Sequence, residues 1–159
     1  MIKTGDAIPS LKLTTATTAG PKEVTTEDLF GGKTVVLFAV PGAFTPTCSE
    51  RHMPSYLQNM DALRAKGVDT VACLAVNDVF VMDAWRKQLG LDEQVVMLAD
   101  GSGAMTKALG LELDLTTRGL GIRSQRYAMV VRDGKVAHLA VEAPGALDVS
   151  KAESVLAIL

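Results

Sequence analysis

Apolar and polar positions along this chain alternate between two regimes. Thr34-Val35-Val36-Leu37-Phe38-Ala39-Val40 is β-branched and apolar without interruption, the pattern of a strand covered on both faces. Val68 to Val76 and Val95 to Ala99 repeat it. Between them the apolar residues follow helical spacing. Leu57, Met60, Leu63 and Arg64 predict a long helix over about Thr47 to Lys66, stopped by Gly67 and kinked at Pro54. Val79 to Leu89 predicts a second helix, ended by Gly90, and Asp100-Gly101-Ser102 turns into a third from Gly103 to Leu109. Thr14 to Thr18 reads as a strand edge running into a Gly20-Pro21 turn. Thr25 to Phe30, before Gly31-Gly32, reads as a short turn or one helical turn. Glu112 to Gln125 is mixed in composition, contains Gly119 and Gly121, and reads as loop. Arg126 to Val131, Asp133-Gly134 and Lys135 to Val141 predict a hairpin with a type I′ turn. Ser150 to Leu159 predicts an amphipathic helix capped by Ser150 or Asp148.

The order is strand, helix, strand, helix, strand, helix, hairpin, helix. It predicts an α/β fold with a mixed central sheet flanked by helices. A parallel centre followed by an antiparallel hairpin and a last helix resembles the thioredoxin-like arrangement. The length of 159 residues suits one domain over 1–159, and 48% hydrophobic residues suffice for a sizeable core. The methionines Met53, Met60, Met82, Met97, Met105 and Met129 fall on the predicted core faces.

Charge narrows the function classes. A net charge of −2 offers no electrostatic attraction to nucleic acid or an anionic membrane. Arg118, Arg123, Arg126 and Arg132 make a locally basic surface, too sparse to track phosphates. Met1 to Ser10 carries Asp6 and Pro9 and lacks the apolar core of a secretory signal. Val35 to Val40, the longest apolar run, is too short to span a bilayer. Two cysteines make no disulfide scaffold and fit a reducing compartment. The expected location is cytoplasmic, or an organelle if a targeting peptide has been removed.

Chemistry concentrates in Pro41-Gly42-Ala43-Phe44-Thr45-Pro46-Thr47-Cys48, directly after the first apolar strand. That position puts the Cys48 thiol in the first turn of a helix, where unpaired N–H groups and the helix dipole favour a thiolate. The thiolate is the nucleophilic form. To act, it needs a lowered pKa, access, and groups that align a substrate. Thr45 lies three residues earlier, and its hydroxyl both accepts and donates. It would accept from a substrate O–H while the Cys48 N–H donates to a substrate oxygen. Pro41 would shield the sulfur from water, and Pro46 would start the helix without wasting an N–H. A guanidinium would complete the site.

Pro41, Thr45 and Cys48 match at full spacing the Pro-x-x-x-Thr-x-x-Cys pattern, and the stretch resembles the active site of the peroxiredoxins. The longer form through Ser49 is similar to the type II or peroxiredoxin-5 subfamily. Further matches are Val76-Asn77-Asp78-Val79-Phe80-Val81-Met82 with Trp85, Leu98-Ala99-Asp100-Gly101, and Arg123-Ser124-Gln125-Arg126-Tyr127-Ala128. The resemblance covers nearly the whole chain. It implies that the essential arginine is the one preceding an aromatic strand start. That is Arg126 before Tyr127, with Arg123 as competitor. It implies thiol-dependent reduction of hydrogen peroxide and alkyl hydroperoxides through a sulfenic acid on Cys48, with no metal or organic cofactor. Thr45, Cys48 and Arg126 would bind the peroxide.

The resemblance also assigns Cys73 a role as resolving partner in plant relatives. The residue itself, inside Val71-Ala72-Cys73-Leu74-Ala75-Val76, reads first as a small buried hydrophobe. No cysteine lies between Asp148 and Leu159, which favours recycling by glutathione with glutaredoxin, or by thioredoxin. A homodimer near the active-site loops is implied, with Phe44 and Phe80 as contacts. His52, one helical turn after Cys48, either tunes the thiolate or, the stronger reading, packs locally. Glu50 fits a capping box with Thr47. His52 and His138 have no metal-ligand company. Two alternatives remain. A disulfide oxidoreductase would need Cys-x-x-Cys, and Arg51 stands three after Cys48. A redox sensor would pass Cys48 oxidation to a partner without turnover.

Overall fold

The structure, a computed structural model, describes residues 1–159. Its centre is a seven-stranded sheet. The strands are β1 (Lys12–Thr17), β2 (Gly20–Thr25), β3 (Thr34–Ala39), β4 (Thr70–Ala75), β5 (Val96–Ala99), β8 (Tyr127–Arg132) and β9 (Lys135–Val141), in the spatial order β2-β1-β5-β4-β3-β8-β9. β3, β4 and β5 run parallel, while β1, β8 and β9 are antiparallel to their neighbours. The sheet is therefore mixed.

The period-2 alternation of the central strands feeds two cores. On one face Val36, Phe38, Val71, Cys73, Ala75, Ala128 and Val130 pack against helices α2 (Met53–Gln58), α3 (Met60–Ala65), α4 (Val79–Gln88) and α6 (Ala152–Leu156). On the other, Val35, Leu37, Ala39, Leu74, Met129 and Val131 pack against α1 (Thr26–Phe30) and α5 (Ala104–Leu109). Both faces are covered, which is why these strands read as unbroken apolar runs. Phe38 stacks on Tyr56 with ring centroids 4.0 Å apart and planes 5° from parallel. Such a pair adds about 1 kcal/mol beyond the area it buries. Met53, Met82, Met97, Met105 and Met129 lie in these cores, with Met60 partly buried at the edge.

Four expectations need correction. The helix predicted over Thr47 to Lys66 is divided. Cys48–His52 forms a π-helical turn, closed by the Met53 N–H on the Cys48 carbonyl, and the break falls at Asn59 (φ −116°, ψ 13°) rather than at Pro54. Pro54 sits in the first turn of α2, where its missing N–H costs little. At Asn59 the side-chain amide takes over the Ser55 carbonyl at 2.7 Å. The loop expected over Glu112 to Gln125 is a second hairpin, β6 (Glu112–Leu115) with β7 (Gly121–Ser124). Its Gly119 and Gly121 adopt φ of 74° and 69° to make the turn, so the glycines taken as loop markers are hairpin markers. Thr47 is helical and makes no side-chain cap, so no capping box forms with Glu50. The last helix is shorter than predicted, and neither Ser150 nor Asp148 caps it; Lys151 stands at that position. Ser150 spends its N–H and hydroxyl elsewhere, on Glu142.

The strand β2, folded back on β1 through Thr18-Ala19, was not apparent from its polar sequence. It is an exposed edge strand, which tolerates Pro21. Gly67 (φ 91°) and Gly90 (φ 69°) end α3 and α4 as expected. Asp133 (φ 48°) and Gly134 (φ 76°) supply the two positive φ angles of a type I′ turn. No helix is long and apolar enough to cross a membrane.

Candidate active site

The site lies at the carboxyl ends of the parallel strands. Beyond β3 the chain runs through Val40 into the loop Pro41 to Thr45 and then turns helical. The loop is held from the next strand over: the Ala43 N–H donates to the Asn77 side-chain carbonyl at 2.9 Å. Asp78 follows as the N-cap of α4, accepting from the Val81 N–H at 2.9 Å. Phe44 takes a left-handed φ of 66° and is exposed. The first bond of the new helix runs from the Ser49 N–H to the Thr45 carbonyl at 3.0 Å. The Cys48 N–H therefore belongs to the unpaired leading turn.

Two groups meet the Cys48 sulfur. The Thr45 hydroxyl lies 2.8 Å from Sγ and 2.7 Å from the Gly42 carbonyl. It has one proton for these two neighbours. Donating to Gly42 leaves its lone pairs facing a Cys48 S–H; donating to sulfur serves a thiolate. Both protonation states of Cys48 are thus accommodated. Arg126 donates from Nη2 to Sγ at 3.1 Å.

The sheet register explains how a residue so distant in sequence arrives there. Ala39 pairs with Tyr127 across the antiparallel β3–β8 ladder. Arg126, one residue before Tyr127, is thereby set beside the exit of β3 and on the sheet face opposite to Tyr127. Arg123 goes elsewhere. Its Nε donates to the Leu120 carbonyl at 2.8 Å and its Nη1 to the Pro41 carbonyl at 3.3 Å, bracing the β6–β7 hairpin against the loop. Gly42 leaves room for this, because a Cβ there would stand 2.9 Å from Arg123 Nη1.

Exposure differs from the expectation of an accessible thiol. Cys48 has 0% exposed surface, whereas Pro41, Thr45 and Arg126 around it are half-buried. The hydroxyl and the guanidinium close over the sulfur.

His52 is buried and does more than pack against its own helix. Its Nδ1 is 2.8 Å from Arg126 Nη1, and its Nε2 is 3.1 Å from the Ser150 carbonyl. A guanidinium only donates and a carbonyl only accepts. Both partners therefore select one tautomer, the neutral ring with its proton on Nε2. Burial, and then the Arg126 charge, lower the His52 pKa from 6.5 to about 4, with the Ser150 carbonyl and Glu142 opposing. The ring is also walled in by Phe38, 4.9 Å away between centroids.

Glu142 did not stand out in the sequence, and Ser150 did so only as a helix cap. Glu142 Oε2 accepts from the Asp148 N–H (2.7 Å), the Ser150 N–H (2.8 Å) and the Ser150 hydroxyl (2.6 Å). Burial works against the Glu142 charge, but the Ser150 hydroxyl and the backbone N–H groups of Asp148, Ser150 and Val149 together hold its pKa below the usual carboxylate value. Trp85 Nε1–H donates to the Ser49 hydroxyl at 2.9 Å, placing the only tryptophan one residue from Cys48.

Cys73 is fully buried in β4, opposite Phe38 of β3. Burial, with a smaller push from Cys48, raises its pKa well above the ordinary thiol value. Both cysteines are free thiols.

The redoxin family profile matches residues 3–156. The chain is 48% identical to peroxiredoxin-2E, a chloroplastic protein of Arabidopsis thaliana, over 99% of its own length and 69% of that protein's. It is 50% identical to peroxiredoxin-2B of the same plant over 82% of this chain and 81% of the relative. Among solved structures, reduced Prx3 of Vibrio vulnificus in complex with hydrogen peroxide superposes with a TM-score of 0.94 at 51% identity, covering 99% of both chains. Peroxiredoxin 5 of Alvinella pompejana gives 0.86 at 38% identity, covering 99% of this chain and 97% of that one.

Proposed function

The chain belongs to the redoxin family and, within it, to the type II peroxiredoxins, and from that premise we propose that Cys48 is its peroxide-reactive residue, with Thr45, Arg126 and Pro41 forming the rest of the machinery. The protein is a thiol peroxidase, an oxidoreductase of thioredoxin-like fold. The observation that carries the residue assignment is the Cys48 sulfur held between a hydroxyl at 2.8 Å and a guanidinium at 3.1 Å.

In the proposed reaction the Cys48 thiolate attacks the terminal oxygen of R–O–O–H. A sulfur–oxygen bond forms, the O–O bond breaks, and sulfur loses two electrons to become a sulfenic acid. The leaving alkoxide takes a proton and departs as alcohol, or as water when the substrate is hydrogen peroxide. Thr45 and the Cys48 N–H align the two oxygens. Arg126 offsets the charge that grows on the leaving one. Pro41 limits water at the rim.

A thiol must then reduce the sulfenic acid. The first thiol forms a mixed disulfide with Cys48 and releases water; a second releases the restored Cys48 thiol. The buried, protonated state of Cys73 supports an external reductant over an internal bridge, since a resolving cysteine needs both ionisation and access. Glutathione with glutaredoxin, or thioredoxin, fits this role. Turnover separates the peroxidase from a sensor, and the peroxide-bound Vibrio neighbour favours the peroxidase.

Phe44 and Phe80, 45% and 75% exposed, support a homodimer contact near the site. The two free thiols suit a reducing compartment, which makes cytoplasm the proposed location; the relatives include chloroplastic proteins. Residues 1–159 are proposed to work as one domain.

The test is peroxide consumption with glutathione–glutaredoxin and with thioredoxin side by side. Wild type should turn over repeatedly with at least one of them, and Cys48→Ser with neither. One equivalent consumed and a persistent oxidised protein would overturn the peroxidase in favour of the sensor.

A further inference from the structure

We propose that the segment from Glu142 to Ser150 sets the peroxide reactivity of Cys48 at a distance, by holding His52 as the acceptor that positions Arg126. The inference rests on the assignment of Cys48 and Arg126 above. Its ground is a closed circuit of hydrogen bonds. The Glu142 N–H donates to the Arg126 carbonyl at 2.9 Å, continuing the β8–β9 ladder by one step. The Glu142 carboxylate gathers the Asp148 and Ser150 N–H groups and the Ser150 hydroxyl. The Ser150 carbonyl, fixed by that grip, accepts from His52 Nε2 at 3.1 Å and from the Tyr56 hydroxyl at 2.7 Å. His52 Nδ1 then accepts from Arg126 Nη1 at 2.8 Å, and Arg126 Nη2 reaches Cys48 Sγ at 3.1 Å. The circuit starts at the backbone of Arg126 and returns to its side chain.

Each link has one polarity. Guanidinium and carbonyl fix the tautomer of His52, so the imidazole cannot turn over without losing both bonds. With one fork of Arg126 committed to His52, the other has a defined direction. An arginine at a half-buried rim would otherwise sample many rotamers, at a cost in alignment that a reacting pair feels strongly. His52, Ser150 and Glu142 are thus positioning residues. They touch neither peroxide nor sulfur and act through Arg126.

Asparagine and glutamine separate this role from general packing. In His52→Asn the side-chain oxygen stands near the place of Nδ1 and still accepts from Arg126. In His52→Gln the longer side chain carries its amide to the Ser150 carbonyl, and its oxygen no longer stands at the place of Nδ1. Cys48 oxidation by hydrogen peroxide is followed in rapid mixing by Trp85 fluorescence, and reduction of the sulfenic acid by a small thiol is measured separately. His52→Gln should slow the peroxide step by about a hundredfold, the scale of a lost hydrogen bond to a charged group. His52→Asn should slow it by only a few-fold. Neither should change the thiol step beyond that. Glu142→Ala should slow the peroxide step about tenfold in the wild-type background and add nothing in the His52→Gln background, because both remove the same link. Glu142→Gln, which keeps the shape, replaces Glu142→Ala if that variant does not fold.

Equal losses for Asn and Gln in folded proteins would overturn the proposal. So would a Glu142 effect that adds in full on top of His52→Gln, or one that falls on the thiol step alike. A wild-type protein that fails to oxidise Cys48 at all would instead remove the peroxidase reading, a separate result.

Discussion

Lowering the pH should loosen this protein through one buried imidazole. His52 holds its proton with a pKa of about 4 in the folded state, against 6.5 when unfolded. The unfolded chain therefore binds more protons between these values, and stability falls as pH falls through that window. The contribution is fully present above pH 6.5 and exhausted below 4. Two-state linkage for such a group gives a loss of about 2 kcal/mol between pH 7 and pH 5, and a ceiling of about 3 kcal/mol at more acid pH. The groups facing His52 are Arg126, whose cation opposes protonation, Glu142, which favours it, and Tyr56. The Glu142 carboxyl is itself held below its usual pKa, so its stabilisation is also lost, but lower in the acid range. Urea unfolding monitored by Trp85 at a series of pH values measures the sum. The His52→Asn variant, which does not titrate, isolates the imidazole. Its stability should be nearly flat from pH 7 to pH 5 where the wild type declines. Parallel curves for the two proteins would refute a neutral, tautomer-fixed His52, and with it the acceptor on which Arg126 is argued to lean.

Arg126→Lys should retain the fold and the charge but reduce the peroxide rate constant by about a hundredfold or more, since one ammonium cannot span His52 and Cys48 as the planar fork does; rapid-mixing kinetics decide it. Cys73→Ala should keep turnover with glutaredoxin, at a modest cost in urea stability of about 1 kcal/mol for a small buried deletion. Loss of activity with every reductant would make Cys73 a resolving residue after all. Gly42→Ala should destabilise by no more than about 1 kcal/mol, because the new methyl meets the flexible end of Arg123 at Nη1 (2.9 Å), which can swing aside, and Thr45 Cγ2 at 3.2 Å. Removing the arginine in an Arg123→Ala background should recover part of that loss, as read by thermal unfolding.

The central strands were legible because burial on both faces leaves an uninterrupted apolar run, as in Thr34 to Val40. The hairpin after Arg126 was legible through Asp133-Gly134, whose backbone angles few other pairs adopt. What failed to show lacked a periodic or chemical mark. Gly20 to Thr25 is a solvent-facing edge strand of polar residues, and Glu112-Leu113-Asp114-Leu115 alternates over only four positions. The break at Asn59 depends on an amide capturing a carbonyl, which no spacing rule announces. In the site, Cys48 and Thr45 were marked by proximity in sequence. Arg126 needed the resemblance, because only strand register brings it from 78 residues away. Glu142 carried no mark, and Ser150 was marked only as a helix cap. Their role arises where β9 runs out beside β8 and the chain doubles back over His52.

The β3–β8 ladder also separates two poles of the molecule. Six residue pairs, from Thr34 with Arg132 to Ala39 with Tyr127, lock the register. The Asp133-Gly134 turn closes the ladder at the pole remote from the sulfur. Residues inserted at that turn would break the bonds that tie Asp133 and Gly134 to Gly32, Lys33 and Ile8, and so cost stability, but would leave Arg126 where it is. One residue deleted between Tyr127 and Arg132 would instead move Arg126 by one step along the ladder and aim the guanidinium at the opposite core. A change at the turn is therefore read in stability, and a change of register within β8 in the chemistry of the sulfur.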